Sequence, residues 1–532
     1  RLPRLLKAFM APFGCTNQVD YEPIRSSAPR ADMMMAPSLA WPCRSSKAKT
    51  PFRSTALLVS VAMTLSGCGG WFNHRLPGAG PDPTQAAAPG VVTPQWSGVV
   101  IADEPEAAEV GRAILAAGGT AADAAVAVGF ALMVTLPSRA SLGGGGACLA
   151  YSPFVKTAGE ADPEAFVFVP RAASSGGDRP AAVPMTARGL LLMQAVYGYT
   201  PIQQLIGPAQ RMAALGVPVS QAFENDLSVV SGPLLADPAA RSVFGTAGGT
   251  PLATGQTMVQ PDLANTLDAL RTKGVTDLYQ GDTAQALVSA SAMAGGPITM
   301  ADLNQAVPHE EAPIAVHNGG NVLTFLPPPA DGGLAAAAAF NQLRRDPTNI
   351  AGANAAALAV ATAYRTGADA ADPEALLSDP NLPGGHLPPL AAATSFVTLD
   401  GSGAAVACTL TMNNLFGTGR IAPGTGILLA ASPTHGQAPL LSAALIWNKP
   451  TTSFRAAIGG TGQEGAPLAT ALTAEYALRR SGRDFGTVVP DPGRANAVNC
   501  PDRVPGNFKS CVWITDPRGA GLAIGHIGKP TS

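Results

Sequence analysis

The chain has 532 residues, enough for an ample core and more than one domain's worth of length. Charged residues make up 13%, hydrophobic residues 46%, and the formal net charge is −2. That balance gives no sign of the basic patch that nucleic-acid binding requires, and the excess of alanine reads as compositional bias rather than function.

Arg44, Lys47, Lys49 and Arg53 precede the apolar run STALLVSVAMTL, which ends in Leu65-Ser66-Gly67-Cys68. The run is too short to span a bilayer and has the order of an export signal. A small-residue pair before a cysteine looks like a bacterial lipobox, in which Cys68 is lipidated and becomes the mature N-terminus. An ordinary signal peptide with an incidental cysteine is the alternative; we favour the lipid anchor. Residues 1–34 then read as an extension upstream of a start at Met35, 35–67 as the signal, and 68–96 as a Pro, Gly, Ala and Gln-rich tether. The expected location is the cell envelope or periplasm.

Asp103 is placed to cap a helix with Pro105 in its first turn and Glu106 completing a capping box. Ala107, Val110, Ile114 and Leu115 form its apolar stripe, and Gly118-Gly119 ends it. Thr120 caps the next helix with Asp123 three residues on. That helix is apolar nearly all round and should be buried. The run Gly143 to Gly146 lacks the Lys-Ser/Thr of a phosphate loop and reads as a tight strand entry. Helices alternate with Pro/Gly turns over 186–310, strands follow over 313–326, and an Ala-rich helix comes after PPPADGG. A strand pair is expected over 446–459 and a helix over 467–481. Cys148 and Cys408 lie in apolar strands and are expected as buried thiols, whereas Cys500 and Cys511 flank a Pro/Gly loop and are expected to pair. The six histidines are scattered, so no metal is expected, nor any organic cofactor.

The most telling segment is 391–429. It reads as two strands joined at Asp400 to Gly403, followed by NNLFGTGR. The first strand opens on the hydroxyl pair Thr394 and Ser395. A hydroxyl at the start of a buried strand, late in a long chain, suits an enzyme that cuts itself. The new terminus then carries both nucleophile and base.

Several blocks in order, over roughly 97–527, resemble the γ-glutamyltranspeptidases, also called glutathione hydrolases. They are EPEAAEVGRAILAAGGTAADAAVAVGFALMVTLP, SLGGGGACLAY, VPMTARGLLLMQAVYG, MVQPDLANTLDAL, LYQGDTAQAL, GGPITMADL, LPPPADGG, FGTGRIAPGTGILL and TDPRG. The resemblance implies an α+β protein, a four-layer αββα sandwich of the N-terminal nucleophile hydrolase type. It implies a large-subunit-like region over 97–393 and a small-subunit-like region over 394–532. The implied activity is hydrolysis or transpeptidation of a small-molecule amide or γ-glutamyl substrate. By the same resemblance, Arg171 in FVFVPRAAS would hold a substrate carboxylate, for which its forked guanidinium is suited. Thr411 would hydrogen-bond the nucleophile, and Asn413 would hold the substrate's polar head. Each of these three also reads as an ordinary strand or turn residue.

The pattern departs from the family at the cut site. The family has Thr-Thr-His-aromatic, and this chain has Ala393-Thr394-Ser395-Phe396. Counting back from Asn413 without a gap puts Ala393 at the nucleophile's place. Either a local bulge lets Thr394 take the catalytic seat, or the nucleophile is gone and the fold survives as a binding module. We favour the first, because hydroxyls are kept at the strand's start. An acidic pair becomes Ala430-Ala431-Ser432-Pro433-Thr434-His435, with His435 standing in for the acid that would grip an α-amine. Paired serines become Leu441-Ser442, and a Pro-Gly-Gly oxyanion loop becomes Thr461-Gly462-Gln463. The amides of Gly462 and Gln463 could still serve, since that role needs N–H groups rather than side chains. Loss of the acid points to an acyl group without a free α-amine, as an acylase of altered substrate would take.

Overall fold

The computed structural model describes residues 96–527 other than 157–159, 370, 388–392, 434–437 and 480–488. The signal, Cys68, the tether before residue 96, and His435 lie outside the described residues.

Strands Ala393–Asp400 and Ala405–Thr411 form the expected hairpin, and every residue in them is buried. Asp400 builds the turn: its Oδ1 accepts from Ser402 N at 2.9 Å and from Ala404 N at 3.1 Å. The hairpin lies centrally in an antiparallel sheet. The order is Leu522–Ile527, Trp96–Ala102, Ala393–Asp400, Ala405–Thr411, Gly145–Tyr151, Glu164–Phe168 and His309–Glu311. A second antiparallel sheet runs Val512–Ile514, Arg494–Val504, Ser453–Thr461, Ser442–Asn448, Asn321–Phe325 and Ile314–Asn318.

Strand side chains alternate between faces, so parity decides which layer each residue enters. Ala393, Val397, Leu399, Ala405 and Ala407 face the second sheet and share a core with Ala443, Leu445, Ala457 and Val498. Phe396, Val406, Cys408 and Leu410 face the other way, into a core with the helices between Pro105 and Asn304. Helices Gly332–Arg345, Ile350–Arg365 and Ala466–Arg479 cover the outer face of the second sheet. The four layers are therefore αββα, as expected. The sheets come close where Gly459 passes Ser395: a Cβ on Gly459 would fall 2.7 Å from that of Ser395.

Helix Ala121–Thr135 has the expected capping box between Thr120 and Asp123, and all of its residues are buried. Helix Pro105–Ala116 differs from expectation. Its cap is Glu104, whose side chain accepts from Ala107 N at 2.8 Å, and Asp103 takes no part. Two adjacent carboxylates compete for one cap, and the nearer fits the turn, which leaves Asp103 for other work. The glycine run enters strand Gly145–Tyr151 as expected, and contact explains it: a Cβ on Gly146 would sit 2.2 Å from the Thr409 carbonyl oxygen.

The cysteines bring one correction. Cys148 and Cys408 are a disulfide rather than buried thiols. They stand directly opposite each other on neighbouring antiparallel strands, with Cα atoms 4.1 Å apart. Cys500 and Cys511 pair as expected. No helix among the described residues is long and apolar enough to cross a membrane.

Candidate functional site

Strand Trp96–Ala102 pairs with its neighbour only as far as Ala102 opposite Phe396. Beyond that point no strand among the described residues pairs with 393–395 on that side, and Asp103 bonds there instead. Its Oδ2 accepts from Thr394 Oγ1 and from Ser395 N, both at 2.9 Å. Its Oδ1 accepts from Asn496 Nδ2 at 2.7 Å. Asn496, on strand Arg494–Val504 of the second sheet, also donates to Ser395 O at 3.0 Å and Ser395 Oγ at 2.9 Å. Ser395 Oγ in turn donates to Gly459 O at 3.3 Å. One carboxylate thus ties the start of the Thr394 strand to both sheets.

Arg139 completes the group. Its Nη1 donates to the carbonyl oxygen of Ala393 at 3.3 Å. Nε and Nη2 make a fork with Asp226, each at 2.7 Å, and Ser138 Oγ donates to the same carboxylate at 2.7 Å. Burial works against the charge on Arg139, but the bonds and charge of Asp226, with Asp103 adding to them, raise its pKa above the usual value. The Ala393–Thr394 peptide therefore has a guanidinium on its carbonyl and a carboxylate on the following hydroxyl.

The expected bulge is absent. Pairing runs without a slip from Ala405 opposite Leu399 to Thr411 opposite Ala393. Thr394, opposite Leu410, directs its hydroxyl to the helix side, toward Asp103. Ala393 presents its methyl to the inter-sheet side. Thr411 shares Ala393's face, so it does not reach the Thr394 hydroxyl. Its Oγ1 instead accepts from Asn413 N at 2.9 Å.

Asn413 meets the backbone that precedes Arg171, whereas the Arg171 guanidinium turns to Asp302. Asn413 takes a left-handed φ of 56°, which asparagine tolerates, and its Nδ2 donates to Pro170 O at 3.4 Å and Ala431 O at 3.0 Å. Its Oδ1 is buried without a hydrogen-bond partner. Arg171 Nη2 donates to Asp302 O at 3.0 Å, and Ala182 N to Ala430 O at 2.8 Å. The 430–432 segment thus pairs with 180–182, which in turn pairs with the backbone at Arg171. Gly462 and Gln463 turn sharply after strand Ser453–Thr461, with φ of 102° and 55°. Ser442 is not brought to this group. It faces the outer helix layer, and its hydroxyl bonds Thr470 Oγ1 at 2.8 Å. No cluster of metal-ligating side chains occurs among the described residues.

The sequence reading missed Asp103, Arg139, Asp226 and Asn496. Asp103 had been assigned as a cap. Arg139, in LPSRASLGGGG, offered one local signal: a lone cation in an otherwise apolar and small-residue stretch.

The model of the family described as gamma-glutamyltranspeptidase matches residues 107–380, just over half of the chain. The chain belongs to this family. A protein named glutathione hydrolase proenzyme from Pseudomonas sp. (strain A14) is 30% identical over 381 residues, covering 63% of this chain and 66% of the relative. One of the same name from Escherichia coli (strain K12) is 28% identical over 385 residues, covering 62% and 65%. The chain thus spans just under two thirds of the length of these two relatives. The crystal structure of a cephalosporin acylase from Bacillus halodurans superposes with a TM-score of 0.64 at 19% identity, covering 83% of this chain and 98% of that one. This γ-glutamyltranspeptidase family member therefore has the N-terminal nucleophile hydrolase fold.

Proposed function

We propose that the chain is an amide hydrolase or transpeptidase of γ-glutamyltranspeptidase type that first cuts itself before Thr394. The observation that carries this reading is the bond from Thr394 Oγ1 to the Asp103 carboxylate, beside a carbonyl held by Arg139. In the uncut chain the hydroxyl faces the helix layer. After the cut no peptide bond holds the amine side of Thr394, and only the bond to Asp103 keeps its hydroxyl on the helix side. Rotation about its Cα–C bond then moves Cβ to the other face of the strand. The hydroxyl swings toward the inter-sheet side, where Thr411 lies.

The freed α-amine of Thr394 then takes the hydroxyl proton, and Oγ1 attacks an amide carbonyl. Backbone amides at Gly462 and Gln463 stabilise the oxyanion. An acyl-enzyme forms, and water or an acceptor amine releases it. Arg171 grips a carboxylate on the acyl group, and the unpartnered Asn413 Oδ1 accepts a hydrogen bond from the α-ammonium of a substrate that carries one. The substrate is a small amide: a γ-glutamyl compound or, with Ala430 and Ala431 where the family has acids, its analogue without the α-amine.

The methyl of Ala393 in the inter-sheet seat favours a second reading, a binding module with no chemistry. N-terminal sequencing of the purified, reduced protein separates the two. A terminus at Thr394 and hydrolysis of γ-glutamyl or glutaryl p-nitroanilide, both lost in Thr394→Ala, support the hydrolase. An intact chain supports the module. We further propose that the protein is anchored in the cell envelope through lipidated Cys68. The pairing of all four described cysteines fits an oxidising compartment. Incorporation of labelled palmitate, lost in Cys68→Ala, tests the anchor.

A further inference from the structure

We infer that Arg139 and Asp103 are the oxyanion donor and the general base of the cut before Thr394, with Asp226 holding Arg139 in place. This deepens the hydrolase reading above and rests on it. Arg139 has five N–H donors in a rigid fork. Two of its nitrogens are engaged by Asp226, which itself takes a third bond from Ser138. That anchoring leaves Nη1 directed at Ala393 O. The separation of 3.3 Å is long for a ground-state bond. It suits a donor whose bond shortens when the oxygen becomes an anion. Asp103 receives the Thr394 hydroxyl directly, and Ser395 N and Asn496 Nδ2 fix the carboxylate.

The step balances as follows. Asp103 Oδ2 takes the proton from Thr394 Oγ1, and the oxygen's electron pair forms a bond to the Ala393 carbonyl carbon. The carbonyl π electrons move to the oxygen facing Arg139. As they return, the C–N bond breaks, and the nitrogen takes the proton from Asp103 and leaves as the α-amine of Thr394. An ester then joins the Ala393 carbonyl to Thr394 Oγ1. One water molecule hydrolyses it to the Ala393 carboxylate and the free threonine hydroxyl.

A structural role for Arg139 predicts lost stability; a role in the reaction predicts lost rate in a folded chain. The test follows cutting of freshly translated full-length chain with time on reducing gels, together with melting temperature. We expect Arg139→Met and Asp103→Asn each to slow cutting by about a hundredfold or more, the scale of one oxyanion donor or one general base. Arg139→Lys should recover part of the rate. Should Arg139→Met fail to fold because the buried Asp226 is left alone, the double variant Arg139→Met with Asp226→Leu removes both charges together. It should fold and remain uncut. Folded variants that cut within threefold of the natural chain overturn the inference and leave the hydrolase reading standing. A natural chain that never cuts overturns the hydrolase reading, and this inference with it.

Discussion

The Cys148–Cys408 disulfide crosses the proposed cut. Cys148 falls in the N-terminal fragment and Cys408 in the C-terminal one, while Cys500–Cys511 lies wholly within the latter. Before cutting, the bond closes a loop with a sequence separation of 260. The chain-entropy model assigns such a closure roughly 5 kcal/mol, at the upper end of what disulfides deliver. At about 2 cal/mol/K of unfolding entropy per residue, that corresponds to a melting shift of about 5 °C for a protein of this size. After cutting, the bond keeps the fragments at high effective concentration in place of a dilutable complex. The perturbation is Cys148→Ala with Cys408→Ala. The natural, cut protein should run as one band on an unreduced denaturing gel and as two bands once reduced. The double variant should give two bands under both conditions and lose melting temperature on dilution; placed on an uncut Thr394→Ala chain, where the loop stays closed, it should melt about 5 °C lower. Both sulfurs are fully buried, so reduction in the folded state should be slow and should speed up in denaturant. Alkylation of Cys148 or Cys408 in denaturant without reductant would refute the pairing. Fragments of the natural protein that separate without reductant would refute the link.

Three further outcomes are expected. Burial raises the pKa of Glu104, against the bond it accepts from Ala107 N. A carboxyl whose folded pKa is raised binds its proton more tightly when folded, so stability falls as pH climbs from the unfolded pKa through the folded one. Glu104→Gln, which can still cap, should therefore gain stability at neutral pH and little at pH 4; a melting series that falls as steeply as the parent's would contradict this. Gly146→Ala forces a Cβ to within 2.2 Å of a backbone oxygen in a central strand and should cost about 1–3 kcal/mol or more. Chemical denaturation at unchanged midpoint would count against that contact. Arg365→Met leaves the buried Asp331 without its forked partner, bonded at 2.5 and 3.0 Å, and should cost about 3–5 kcal/mol. Arg365→Met with Asp331→Leu should recover most of the loss, and a double variant no more stable than the single one would show that the cost lies elsewhere.

How much of this was legible depended on whether the deciding interaction was local. The Thr120–Asp123 capping box spans three residues, and the hairpin turn at Asp400 spans four, so both could be read directly. Asp103 and Glu104 were a nearer contest. Both are acidic and adjacent, and only the course of the chain past Ala102 decides which one caps and which reaches Thr394. The Cys148–Cys408 bond depends on a register between strands 260 residues apart, and spacing alone carries no trace of that register. Parity behaved differently. Counting back from Asn413 puts Ala393 in the nucleophile's seat, and the unbroken pairing of Ala393 with Thr411 agrees with that count. What counting could not supply was the other side of the strand. There a carboxylate and a guanidinium, contributed by residues 254 or more positions away from their contacts, meet the same peptide bond. A threonine on the far face is a defect if the seat must be filled before the chain is cut. With Asp103 on its hydroxyl and Arg139 on the preceding carbonyl, that face is where, on the proposed reading, the cut itself is prepared. The catalytic seat then need only be reached afterwards, by a residue that the cut has released.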